Sequence, residues 1–301
     1  MTLSLRGKHE HLAQRARIIQ RIRAFFIESA FLEVETPQRI PLNAPEANIA
    51  PIHSGNWQLQ TSPEMAMKRL LAAGYSNIFQ ICHCWRDEER GRKHLPEFTM
   101  LEWYRSHCDY NQLMTDCENL FRDLVPQQQI TYQGLKIHLD TTFERLTVDE
   151  AFNRYTDYTP LQAIAEDRFD ELITFSIEPQ LGLERPTILY EYPAELASLA
   201  RRKPGQLEVA ERFELYIAGL ELSNAFSELT DPIEQRIRFS NEVACMPLKS
   251  TDPHRLPEPF LADLENMPPA AGIALGVDRL IMLLTDSHRI EQVVAFPPED
   301  L

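Results

Sequence analysis

Between Ile78 and Arg105 the chain reads IFQICHCWRDEERGRKHLPEFTMLEWYR, a dense run of side chains that could do chemistry. Ile78–Arg86 and Phe98–Tyr104 are rich in apolar and aromatic residues and predict two strands. The connection Asp87–Pro96 consists mostly of residues that can carry charge, far more than a hairpin needs in order to turn. Side chains alternate along a strand, so Arg86 and Glu88 are expected on one face. Phe98, Met100, Glu102 and Tyr104 are expected on one face of the returning strand. If both sets meet in one cleft, it holds a guanidinium, two carboxylates, a phenol and a bare aromatic ring. That collection suits a charged planar ligand such as a nucleotide, beside an amine. The competing reading is a solvated hairpin with incidental ion pairs.

Three other stretches carry comparable chemistry. Thr61-Ser-Pro-Glu64 opens a helix, with Ser62 as N-cap and Pro63 at the first helical position. Glu64 then serves either as a partner of the helix dipole or as a carboxylate facing a ligand. Phe213–Glu228, FELYIAGLELSNAFSE, predicts two strands around Ala218-Gly219, with Glu214 and Tyr216 on one face and Glu221, Asn224 and Glu228 further on. Glu214 and Glu221 across this hairpin could offer oxygens to Mg²⁺, which takes one or two carboxylates plus substrate phosphates. A metal-free surface pair is the alternative. Gly272-Ile-Ala-Leu-Gly276-Val-Asp-Arg279 predicts a glycine-bearing strand entering a helix, and it lacks the spacing of a dinucleotide fingerprint. Arg279 at that helix start opposes the dipole, so an anionic partner is expected, and a phosphate would serve.

The elements that must hold these residues are legible from periodicity. His11–Ala30 has apolar residues at helical spacing, with Arg15, Arg17, Arg21 and Arg23 read as its solvated face. A short strand follows over 31–37, then two strands around Ser54-Gly55-Asn56. Asp109–Val125 predicts an amphipathic helix, and Thr147-Val-Asp-Glu150 is a capping box that starts another. Residues from about 140 to 186 are read as a helical insertion, and Thr187–Tyr192 as a returning strand.

The 301 residues suffice for one large α+β unit, and 44% hydrophobic with 25% charged residues is a globular balance. A formal charge of −15 argues against a partner held chiefly through phosphate contacts. Five cysteines at scattered positions suggest a reducing compartment. Cys82-His83-Cys84 has no second ligand pair at finger spacing and is read as buried strand rather than zinc site. With no apolar leader and no run of ~20 apolar residues, a cytoplasmic location without membrane contact is expected.

In this order the helix and strand ending at Pro37, Arg86-Asp-Glu88 through Phe98, and Gly-x-Ala-Leu-Gly-Val-Asp-Arg279 resemble the three signature motifs of class II aminoacyl-tRNA synthetases. The likeness covers nearly the whole chain. Thr61-Ser-Pro-Glu64, Pro96–Tyr104 and Asn224-Ala-Phe-Ser-Glu228-Leu look like lysyl-tRNA synthetase. The first motif begins near residue 12, which leaves no room for an N-terminal anticodon-binding domain. A catalytic core of this length, with Ala274 inside the third motif, resembles the elongation factor P–lysine ligases, paralogues of that synthetase.

The resemblance implies a single catalytic domain over 1–301 with an antiparallel six-stranded sheet flanked by helices, working as a homodimer. It implies ATP as substrate and Mg²⁺ on Glu214 and Glu221. Arg86 and Arg279 would be catalytic and hold phosphates. Glu88, His94, Phe98, Glu221, Leu222 and Gly276 would complete the ATP site. Ser62, Glu64, Glu102, Tyr104, Asn224, Phe226 and Glu228 would bind lysine or β-lysine. Elongation factor P would be the acceptor, with tRNA disfavoured; a minimal RNA-charging enzyme and a catalytically silent module remain alternatives. Leu95 stands where the ligases usually have Asn, and Ala225 where they have Gly, which predicts a lost ATP contact and either a narrowed amino-acid pocket or a shift of its backbone.

Overall fold

The computed structural model describes residues 5–246 and 256–301. Its main sheet contains Leu32–Glu33 (β1), Asn77–Trp85 (β2), Glu97–Ser106 (β3), Glu144–Thr147 (β4), Thr187–Tyr190 (β5), Arg212–Ile217 (β6), Leu220–Ser227 (β7) and Ala270–Gly276 (β8). The spatial order is β1-β2-β3-β8-β7-β6-β5-β4. The expected six-stranded antiparallel sheet is therefore corrected to a mixed sheet of eight strands. Its six central strands do pair antiparallel throughout. The two outermost strands, β1 and β4, add in parallel to β2 and β5. The strand read over 31–37 is present as the two residues of β1; its parallel pairing and the four-residue edge β4 escape a sequence reading because such short runs carry no pairing signal.

Parallel neighbours need a long crossover rather than a tight turn. Between β1 and β2 it includes α2 (Glu64–Ala72); between β4 and β5 it is the helical stretch from Val148 to Gln180. The stretch read as an insertion from about 140 is thus a strand followed by a crossover. The Thr147 capping box is present as expected, with the Thr147 side chain on the Glu150 amide and the Glu150 side chain returning to Thr147.

Alternation gives the sheet two different faces. On one, Phe79, Leu101, Trp103, Ile273, Leu275, Phe213, Leu215 and Ile188 form a core with α1 (His9–Glu28), α3 (Tyr110–Leu124) and the helix Val277–Leu284. Asp109 caps α3 by accepting from the Asn111 amide at 2.9 Å. Arg15 is not part of the solvated face expected of α1. It pairs with buried Asp278 and donates to Thr99 Oγ1 at 2.8 Å, while Asp278 also accepts from the Thr99 amide at 2.7 Å. Arg17, Arg21 and Arg23 do stay at the surface, paired with Glu10, Asp123 and Glu33. No helix among the described residues is long and apolar enough to cross a membrane.

The crossover is fastened where it meets the β6–β7 turn. The amides of Ala218 and Gly219 donate to the carbonyls of Gly182 and Leu181 at 2.8 and 2.9 Å. Gly182 has φ +72°, and a Cβ there would lie 2.5 Å from the Tyr216 carbonyl oxygen. Left-handed backbone and lack of space both demand glycine. Gly182→Ala is expected to cost at least about 2 kcal/mol in urea unfolding, and a loss below about 0.5 kcal/mol would show that this junction yields easily.

Candidate active site

The other sheet face carries the chemistry, and register decides which residues meet. Tyr104, Glu102 and Met100 on β3 lie opposite Gly272, Ala274 and Gly276 on β8. Beyond them, Phe226 and Asn224 on β7 pair with Gly272 and Ala274, and Arg212 and Glu214 on β6 pair with Phe226 and Asn224. Large polar groups therefore rise from β3 and β7 over a floor of small residues. A Cβ on Gly272 would come within 2.2 Å of Tyr104 Cε1 and 2.3 Å of Glu228 Oε1. The resulting cavity of about 230 Å³ is lined by Ser62, Glu64, Arg86, His94, Phe98, Glu102, Tyr104, Glu221, Leu222, Asn224, Phe226, Gly276 and Arg279 among the residues expected from sequence.

Simple alternation would put Glu221 on the opposite face from Asn224. A register shift between Leu215 and Tyr216 corrects this, because Glu221 pairs with Tyr216 while Asn224 pairs with Glu214. Leu222 is the extra residue of the bulge, a device that re-aims side chains at functional sites. Glu221 thereby joins the cavity face.

One end of the cavity is acidic. Ser62, expected as N-cap, lies one residue before the observed N-cap Pro63; its Oγ accepts from the Glu64 amide at 3.0 Å and donates to Glu102 Oε1 at 2.6 Å. Tyr104 donates to Glu102 Oε2 at 2.7 Å. Beneath them the buried ammonium of Lys68 lies 2.5 Å from both Glu64 Oε1 and Glu228 Oε2, and 5.3 Å from the centre of the Phe226 ring. Burial and the Glu64 charge push Glu102 up to about 8, against the Ser62 and Tyr104 donors. Burial likewise pushes Glu228 up to about 8 despite Lys68. Lys68 itself keeps its proton, since Glu228 and Glu64 outweigh the cost of its burial.

The other end is cationic. Arg86 follows β2, its amide continuing the ladder to the Pro96 carbonyl at 2.9 Å, and its guanidinium carbon lies 5.3 Å from the centre of the Phe98 ring. Arg279 sits in the first turn of its helix, where its Nη1 donates to the Glu221 carbonyl at 2.8 Å and to Glu221 Oε2 at 3.1 Å; its Nη2 meets His94 Nε2. Burial, then Arg279, holds His94 below its usual range, and burial lowers the neighbouring Lys93. Burial alone would raise Glu221, but the Arg279 charge and hydrogen bond hold it below the usual carboxylate range.

The carboxylates expected to hold Mg²⁺ differ in readiness. Glu221 lines the cavity and, among the described residues, its carboxylate accepts only from Arg279. Glu214 lies outside the lining, with Arg212 Nη2 on Oε1 at 2.6 Å and the hydroxyls of Tyr192 and Tyr216 on Oε2 at 2.5 and 2.6 Å. Oxygen donors suit a hard cation, so Glu221 fits one directly and Glu214 fits by exchanging a donor. Among the described residues no group of three or more His, Cys, Asp or Glu side chains is arranged around an ion site.

Two expectations are corrected. Glu88 has φ +66°, is exposed and lies outside the cavity lining; strand alternation ends at Trp85, so Glu88 does not share a face with Arg86, and Glu89 approaches that guanidinium instead at 3.5 Å. Ala225 does not narrow the pocket. It pairs with Phe213 and Ile273 and is buried in the helix-side core. Sequence reasoning also missed Glu46, Lys68, Lys93 and Arg212. Arg212 donates to Asn224 Oδ1 at 3.1 Å, which turns the Asn224 amide nitrogen away as a free donor. Lys68 was readable in one respect, since it stands four residues after Glu64 on α2.

Removing one partner from a buried ion pair leaves the other uncompensated. Lys68→Met is accordingly expected to cost about 3–5 kcal/mol in denaturant unfolding near pH 7, whereas a change under about 1 kcal/mol would mean that this ammonium does not balance Glu64 and Glu228.

Comparison with known proteins agrees with the geometry. The family model for class II tRNA synthetases (D, K and N) matches residues 1–300. The chain is 39% identical to an elongation factor P–(R)-β-lysine ligase of Edwardsiella ictaluri, over 95% of this chain and 94% of that one. Identity to the proteins of the same name from Pectobacterium carotovorum and Salmonella arizonae is 40%, covering 96% and 95% of this chain and 95% and 94% of theirs. Nearly full-length similarity on both sides, with the motifs gathered about one cavity, establishes that the chain belongs to the class II tRNA synthetase family of the D, K and N type.

Proposed function

We propose that this protein is an ATP-dependent ligase that adenylates lysine or β-lysine and transfers it to the ε-amine of a lysine on elongation factor P. The observation that carries this reading is the polarity of one cavity. Arg86, Lys93, His94 and Arg279 line it with Arg279 meeting His94 at one end, and Glu64 and Glu102, joined through Ser62, mark the other. A polyphosphate and an ammonium-bearing acid fit such a cavity in only one direction. The names of the relatives support the same substrates.

In the first step a carboxylate oxygen of the amino acid attacks the α-phosphorus of ATP and pyrophosphate leaves. Arg86 faces the charge that builds on the α-phosphate oxygens, and Arg279, braced by Glu221 and His94, holds the departing phosphates. Phe98 offers a flat surface for adenine, a contact worth roughly 1–3 kcal/mol in base-stacking systems. Asn224 donates towards the substrate carboxyl group. Mg²⁺ would be held by Glu221, with Glu214 behind it, and would neutralise phosphate charge. In the second step the acceptor amine attacks the mixed anhydride, an amide forms, AMP leaves, and the amine loses a proton. Positioning and electrostatics supply the rate. The acidic net charge favours a protein acceptor over tRNA. Exposed Ile27 and Leu32, at the end of α1 and on edge strand β1, favour a homodimer through that side.

Intact mass of purified elongation factor P after incubation with ATP and each lysine isomer tests the reading directly. A mass gain of one lysine on the protein is expected, and label appearing only on tRNA would overturn it. Arg279→Ala is expected to slow lysine-dependent ATP–pyrophosphate exchange by roughly 10²–10³; a rate within threefold of the unaltered protein would remove Arg279 from the site.

The acidic end adds a pH-linked expectation. With Glu102 and Glu228 at about 8, both carboxyls hold protons at pH 7. An ammonium ligand favours the carboxylates, so binding drives protons off. Calorimetry of lysine binding in buffers of different ionisation enthalpy should show net proton release at pH 7 that fades above about pH 9. Proton uptake, or none, would contradict this charge state.

A further inference from the structure

Of the carboxylates that line the cavity, all but one already accept a hydrogen bond or ion pair. Glu64 takes Lys68, Glu102 takes Ser62 and Tyr104, Glu221 takes Arg279, Asp278 takes Arg15, and Glu89 takes Arg86. Glu46 lines the same cavity and has no such partner among the described residues.

Its position is nevertheless fixed by the backbone on both sides. The Asn43 side chain accepts from the Thr61 amide at 2.8 Å and donates to the Leu59 carbonyl at 2.9 Å. The Ala47 amide donates to Glu242 Oε2 at 2.9 Å, and the Asp87 amide donates to the Ala50 carbonyl at 2.8 Å. The segment thus presents a carboxylate to the cavity beside that of Glu64, with no cation between them. Burial, then the Glu64 charge, pushes Glu46 up to about 7, Glu242 adding to this and Arg86 and Arg212 opposing it. Two neighbouring carboxylates in a desolvated site are an unfavourable arrangement that an incoming cation relieves.

Arg86 indicates which cation. The segment that carries Glu46 is tied at Ala50 to Asp87, the residue after Arg86, whereas Glu102 is held by Ser62 and Tyr104 and Glu228 by Lys68. In the ligase reading Arg86 faces the reacting phosphate, so Glu46 stands near the carboxyl end of the substrate, and Glu102 and Glu228 stand near its far end.

We propose that Glu46 binds the substrate ammonium nearest the activated carboxyl group and thereby selects diamino acids over acids with a terminal amine alone. The proposal rests on the ligase reading and is tested by ATP–pyrophosphate exchange with L-lysine and (R)-β-lysine. 6-Aminohexanoate, which lacks the near amine, is measured as a competitive inhibitor. Glu46→Gln is expected to raise the KM of the better diamino acid about 10–100-fold, the range for losing a hydrogen bond to a charged group. The inhibition constant of 6-aminohexanoate and the KM of ATP should stay within about twofold, and Glu46→Asp should recover part of the loss.

An unchanged KM for both diamino acids would overturn the assignment, as would an equal loss for 6-aminohexanoate. Thermal unfolding of the variants, expected to match or exceed the unaltered protein, separates a binding defect from a folding one; a destabilised Glu46→Gln with loss on every ligand would overturn it too. Exchange by the unaltered protein with neither lysine isomer would instead sink the ligase reading and this proposal together.

Discussion

The register of β3 against β8 is the constraint on which the rest of the site depends. Gly272, Ala274 and Gly276 face Tyr104, Glu102 and Met100 residue for residue. Because alternation has period two, a slip of one residue would send the three large side chains into the helix-side core and bring Leu101 and Trp103 to the cavity. The core makes that slip costly, since Trp103, Leu101, Ile273 and Leu275 are all buried against α1, α3 and the Val277–Leu284 helix. Arg15, Asp278 and Thr99 then tie α1, the start of that helix and β3 together at one point. The apolar face of the sheet thus sets the geometry of the polar one.

Charge is arranged on that frame with equal economy. Glu64, Glu102 and Glu228 together in a desolvated pocket would take up protons and lose their use for binding an amine. The Lys68 ammonium offsets this only in part from below, without occupying the cavity, so that Glu102 and Glu228 stay raised to about 8. At the opposite end Glu221 braces Arg279, while burial lowers both His94 and Lys93 from their usual ranges. A ligand carrying anionic phosphates and cationic amines replaces internal repulsion at both ends with attraction, so its binding is coupled to its orientation.

Most of the sheet centre was legible in the sequence because its strands are long and alternate cleanly. The runs around Phe98–Tyr104, Glu214–Ser227 and Gly272–Gly276 gave both the elements and the faces. The capping box at Thr147 was equally readable, since a cap is a local contact, whereas the α2 cap falls on Pro63 rather than Ser62. What escaped was non-local. The parallel pairing of β1 and the whole of β4 rest on too few residues to carry a period, and the bulge at Leu215–Tyr216 changes the face of Glu221 without any glycine or proline to announce it. Glu88 was misplaced because alternation was carried one turn beyond the end of β2. Lys68, Arg212 and Glu46 look like ordinary surface charges until the fold shows what lies opposite them.

The two departures from the ligase pattern illustrate how far consequence depends on the face a residue occupies. Ala225 sits on the core face between Phe213 and Ile273, so its methyl group fills apolar space and leaves the amino-acid pocket unaltered. The width of that pocket is governed instead by Gly272, where even a methyl group would collide with Tyr104 and Glu228. Leu95 is different, for it belongs to the buried core and also touches the cavity beside His94. It sets an apolar wall beside His94 in the cavity that Arg86, Lys93 and Arg279 also line. Among the carboxylates that line the cavity, Glu46 is the one without a partner among the described residues.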